Sequence, residues 1–103
     1  MKDYRGREFH PTEMYRLINA LIERDALFEV VEIWGTPQVI FLDKNGKQIG
    51  DAVCHSGSYG HEEGLIEIMG LDVTEGEYGD MVLGHLTAEE VLQHLDNAIK
   101  AIG

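Results

Sequence analysis

The chain is short of cysteine, of long apolar runs and, in one half, of basic residues, and each shortage closes off a class of function. Cys54 is the single cysteine, so no disulfide can form within the chain, which suits a reducing cytoplasm. There is no CxxC and no HxxxH pair, whereas a zinc site needs three or four such ligands in fixed geometry. No apolar run approaches the roughly 20 residues that cross a bilayer. The opening stretch 1–13 is polar and lacks the apolar core of a signal peptide. Between Gln48 and Ile99 there is neither lysine nor arginine. Affinity for nucleic acid rests on those side chains neutralising phosphates. The expectation is a cytoplasmic protein that binds neither nucleic acid nor an anionic membrane directly and uses no cofactor.

What this span does hold is acid. It carries eleven carboxylates and four of the five histidines, His55, His61, His85 and His94. Residues 1–47 set eight acids against seven bases, so almost the whole net charge of −11 lies in the second half. At 103 residues and 44% hydrophobic composition, the chain reads as one domain over 1–103 with a single core. Its acidity either keeps a small protein in solution or addresses a basic partner or a cation.

Hydrophobic spacing supplies the elements. His10-Pro11 favours an extended lead-in, Thr12 suits an N-cap, and Glu13 meets the positive helix end. Met14, Leu17, Ile18, Leu21 and Ile22 form one stripe, which predicts a helix over 12–25. Strands follow at 28–35 and 38–42 around a Gly35-Thr36-Pro37 break. Asn45-Gly46 predicts a type I′ hairpin turn that sets Leu42 opposite Ile49, Phe41 opposite Gly50 and Val39 opposite Ala52. Residues 55–64 are a loop by composition. Strands over 65–69 and 81–86 flank an acidic connection at 70–80. Thr87 and Glu90 make a capping box, and Val91, Leu92, Leu95, Ala98, Ile99 and Ile102 stripe a closing helix. The sum is an α+β fold: a mainly antiparallel sheet of four or five strands with an N-terminal and a C-terminal helix on one face.

The loop after the third strand gathers the candidate binding residues His55, Tyr59, His61, Glu62 and Glu63, with Glu67 on the next strand. Its glycines let backbone approach a ligand. The open alternatives are a structural loop, a binding surface using Tyr59, and a metal or small-ligand site. An enzyme would need His55 and His61 to converge with His85 or Glu67, and Cys54 or a bound metal to supply the reactive centre. The surroundings of Cys54 suit a buried small hydrophobe instead, and Ser56 and Ser58 lack a GxSxG frame. Glu90 and His94 are spaced as an exposed i,i+4 pair. Asp72, Glu75, Glu77 and Asp80 are oxygen donors of the kind calcium takes, without EF-hand spacing. No catalytic residue and no metal ligand is assigned.

Two resemblances extend this reading. Gly35-Thr36-Pro37-Gln38-Val39-Ile40-Phe41-Leu42-Asp43-Lys44-Asn45-Gly46-Lys47 resembles the hairpin of thioredoxin-like proteins, whose proline at that place is cis and faces the redox site. Gly84-His85-Leu86-Thr87-Ala88-Glu89-Glu90 resembles the approach to their last helix. With no CxxC and no opening strand and helix, the resemblance implies a redox-inactive module with a cis Thr36–Pro37 bond and a parallel strand. The segments 52–60, 64–69 and 84–91 are similar to small acidic proteins encoded by phages and prophages of Gram-positive bacteria. That likeness implies a short accessory protein with no catalytic set. The function expected is a non-enzymatic protein-interaction module of phage origin that presents its acidic half to a protein partner. In its sharper form the partner is basic, and the chain mimics nucleic-acid charge in the groove of a nuclease or polymerase. The oligomeric state is not legible here.

Overall fold

The computed structural model describes residues 2, 5–74 and 81–102. Helix α1 (Thr12–Glu23) leads into strands β1 (Phe28–Ile33), β2 (Thr36–Leu42), β3 (Gln48–Val53), β4 (Ile66–Gly70) and β5 (Val82–Leu86), and helix α2 (Ala88–Ile102) follows. The strands lie side by side in chain order, each antiparallel to the next. This is the α+β architecture that the hydrophobic spacing implies.

Alternation along the strands separates two faces. Val39, Ala52 and Ile68 align across β2, β3 and β4. With Phe41 and Ile66 they are fully buried against Met14, Leu17 and Leu21 of α1 and Val91 and Leu95 of α2. Phe41 stands opposite Gly50, whose missing side chain leaves room for Leu71, since a β-carbon there would lie 2.8 Å from the Leu71 Cγ. Both helices therefore cover this face. Gln38, Ile40, Asp51, Glu67 and Met69 alternate to the other face, which no helix covers among the described residues.

The turns differ from the expectation. Ile33 pairs directly with Thr36, and the two residues between them, Trp34 and Gly35, have φ of 51° and 76°. Positive φ at both central positions defines type I′, so the tight turn lies at Trp34-Gly35, with the Thr36 hydroxyl donating to the Ile33 carbonyl at 3.0 Å. At the second hairpin only Gly46 has positive φ. The Asp43 N–H donates to the Lys47 carbonyl at 2.8 Å and the Gly46 N–H to the Asp43 carbonyl at 2.9 Å. That is a three-residue loop ending in a left-handed glycine. The Asp43 carboxylate holds it by accepting from the Asn45 and Lys47 N–H groups at 2.8 and 2.9 Å. Leu42 consequently faces Gln48 rather than Ile49, and a bulge restores the expected Phe41–Gly50 and Val39–Ala52 pairs.

Helix α1 ends at Glu23 and starts from Pro11, so Thr12 lies inside the first turn and is not its cap. Glu13 reaches across to accept the Ala88 N–H of α2 at 2.9 Å. The capping box forms as expected: the Thr87 N–H donates to Glu90 at 3.0 Å, and the Glu90 N–H donates to the Thr87 hydroxyl at 3.3 Å. Every described peptide bond is trans and every strand pairing is antiparallel. Neither feature that a thioredoxin-like module requires is therefore present among the described residues. None of the described helices is long and apolar enough to cross a membrane.

Candidate functional site

The 55–64 segment is a chain of self-satisfying turns. The Ser58 N–H donates to the His55 carbonyl at 2.9 Å, while the Ser58 hydroxyl donates to that carbonyl and accepts the His55 N–H. The Gly57 N–H donates to Nδ1 of His55 at 3.0 Å. Nδ1 is thus the lone-pair nitrogen of a neutral ring. The Trp34 indole lies against that imidazole with ring centroids 4.4 Å apart. Burial, reinforced by the neighbouring His61, lowers the pKa of His55.

His61 is also buried, its Nδ1–H donating to the Ser58 carbonyl at 2.9 Å and its ring meeting Phe9 edge-on. A single 3₁₀ turn spans His61–Glu63. The Tyr59 N–H donates to Glu67 at 3.1 Å, and the Tyr59 carbonyl accepts the His85 N–H of β5 at 3.3 Å. Gly84 permits this close approach, because a β-carbon there would strike the Tyr59 side chain and lie 2.9 Å from its carbonyl oxygen. Glu62 is paired with Arg7, and Glu63 stands 4.0 Å from the His85 ring.

The six candidate residues therefore divide. Tyr59, His61, Glu62 and Glu63 line a cleft of about 210 Å³ with Ser58, Gly60 and His85. His55 and Glu67 are outside it, one against Trp34 and the other on the Tyr59 backbone. Cys54 is fully buried, and burial pushes its thiol up to about 11, so it stays protonated. No three His, Cys, Asp or Glu among the described residues are placed to share a metal ion. Of the calcium candidates, Glu75, Glu77 and Asp80 lie outside the described residues. Asp72 is held by Nδ1 of His94 at 2.6 Å and by the Asn97 amide at 2.9 Å. Burial, the largest cause, would raise the Asp72 pKa, but those two hydrogen bonds, the His94 charge and a backbone hydrogen bond together outweigh it and the pKa is lowered. His94 thus pairs with Asp72, not with Glu90, which is engaged in the helix cap.

One residue of interest does not stand out from its composition. Trp34, the only tryptophan, is 68% exposed at the β1–β2 apex. Beside it runs the sheet face that no described helix covers, on which Val53 is nonetheless buried. There Glu29, Ile40, Asp51 and Met69 share one cross-strand row, and Val31, Gln38, Val53 and Glu67 share the next. Val31 is 41% and Met69 50% exposed. None of the five strands contains a lysine or an arginine. The signal for Trp34 was a Trp-Gly pair between two β-branched runs, read as a break and not as a turn.

Fold and site together define a class: a five-stranded antiparallel meander, helical on one side and, among the described residues, acidic, partly apolar and free of helix on the other. No family model matches the chain, and neither a curated protein nor a solved structure does.

Proposed function

We propose that the protein is a non-enzymatic interaction module whose uncovered sheet face receives a basic protein partner. The observation that carries this reading is the makeup of that face. Glu29, Asp51 and Glu67 alternate with exposed Val31 and Met69 and part-buried Ile40, Trp34 stands at its end, and no basic residue of the strands interrupts it. Apolar area of this kind is characteristic of contact surfaces, and tryptophan is enriched among the residues that anchor them. His55 steadies Trp34, while at the 55–63 loop Glu62 is held by Arg7 and Glu63 stands beside His85. A lone buried thiol fits a cytoplasmic setting. The likeness to small acidic phage and prophage proteins makes a bacterial host protein the natural partner.

Capture from a bacterial lysate on immobilised protein tests this, with Trp34→Asn as one control and Asp51→Lys as another. Asn-Gly is the preferred type I′ pair, so the first variant keeps the turn and removes only the indole. Retention of a basic protein by the wild type, with loss on both variants, is the expected result. Equal retention by all three proteins, or none by any, would sink the reading.

A further inference from the structure

We infer that the free edge of β1 takes an extended segment of the partner as a sixth strand, selecting the pattern basic–apolar–apolar–basic. This rests on the interaction reading above and specifies its chemistry. The Trp34-Gly35 turn determines which backbone groups of β1 are engaged. In a two-residue hairpin the residues flanking the turn, here Ile33 and Thr36, exchange both hydrogen bonds, and bonded and unbonded pairs alternate from there. Val31 and Glu29 therefore bond to β2, and Leu27 continues the series by accepting the Leu42 N–H at 3.1 Å. Phe28, Val30 and Glu32 turn their N–H and C=O groups away from β2. No strand lies on that side among the described residues, and Glu29 to Glu32 are all exposed.

Edges left in this state are templates for strand addition, and proteins blunt them with charged side chains, lysine above all, or with proline, bulges or a covering segment. On β1 only the two acids Glu29 and Glu32 play that part, and they leave the edge open to a basic strand. β1 has no lysine, no proline and no break in register. The opposite edge, β5, is treated differently, since the 55–64 loop bonds to it at His85.

The two acids of β1 choose the occupant. On an antiparallel strand laid along this edge, the residues facing Glu32 and Glu29 are three apart, and the two between them face Val31 and Val30. Lysine or arginine at the outer positions and apolar residues at the inner ones give four favourable cross-strand pairs. A second copy of this chain fits poorly. Each copy carries a net charge of −11. Moreover, any two-fold antiparallel register centred between residues 29 and 32 sets Glu29 or Glu32 against its own counterpart, opposite or diagonal.

Two peptides of one composition, Lys-Val-Val-Lys and Lys-Lys-Val-Val in the same threonine frame, test this by titration into isotope-labelled protein. The first should bind at least fivefold tighter and slow amide exchange at Phe28, Val30 and Glu32. Val30→Pro, which deletes one outward donor without touching the β2 ladder, should abolish that preference. Glu29→Lys with Glu32→Lys should transfer it to Glu-Val-Val-Glu, an arm that stands even where the proline variant fails to fold. Equal affinities overturn the inference, as does an absence of binding. Shifts confined to Asp51 and Met69 overturn strand addition alone and leave the interaction reading intact. Slow exchange at the same amides in free protein of dimeric mass would instead make the occupant a second copy.

Discussion

A left-handed backbone costs a residue with a β-carbon about 1–2 kcal/mol, and Trp34 adopts it with most of its ring in solvent. Its contact with His55 turns this residue into a reporter. Native His55 releases its proton below the ordinary value of 6.5, because burial and then the His61 charge disfavour the charged ring. Between the native and unfolded values the unfolded chain binds more protons. The stability due to this ring is therefore complete above about pH 6.5 and lost as pH falls through the native value. Protonation beside the only indole should also quench it, so tryptophan fluorescence should titrate with a midpoint below 6.5. In His55→Asn, whose side-chain oxygen can still accept the Gly57 N–H, the fluorescence should stay flat and the acid-side loss of stability should shrink. A midpoint above 6.5 would contradict the buried neutral ring.

Among the elements, the first turns of the two helices share one carboxylate. Glu13 sits in the first turn of α1 and accepts a hydrogen bond at the first turn of α2, so a single charge meets two positive helix ends. Glu13→Gln keeps an acceptor and removes the charge; it should cost about 1 kcal/mol in urea denaturation. Glu13→Ala removes both and should cost about 2 kcal/mol. Equal losses would show that the charge alone matters. The places of these elements were legible because apolar spacing differs between helix and strand. The capping box was legible because Thr87 and Glu90 are local partners. The turns were not: the Asp43 carboxylate selects a three-residue loop that Asn45-Gly46 alone does not signal, and tryptophan in a left-handed turn runs against its preference. The 55–63 loop looked like a site because its polar residues cluster in sequence, yet most of them bond to one another. The uncovered face was hidden for the opposite reason. Glu29, Asp51 and Glu67 meet only through strand register.

At the scale of the whole molecule, charge acts on fold and complex in opposite directions. With a net charge of −11, the native state suffers self-repulsion that salt relieves. The exposed pairs Arg7–Glu62, Arg16–Glu13 and Arg24–Asp96 are of the kind that contributes little. Raising sodium chloride from about 10 to 300 mM, which shortens the screening length from about 30 to 6 Å, should raise the melting temperature while weakening capture of a basic partner. A fall in melting temperature would mean that those three pairs outweigh the repulsion. The strand order has a further effect, on how the chain reaches this state. Each strand pairs with its neighbour in sequence, so the hairpins can zip locally and quickly. The helix layer cannot, because α1 must wait for residues 88–102 before Met14 and Leu17 meet Val91 and Leu95. On the ribosome, at about 5–20 residues per second, the sheet is complete before α2 emerges. For those seconds the part of its helix face that α2 covers is bare, and a chaperone would find the nascent chain there.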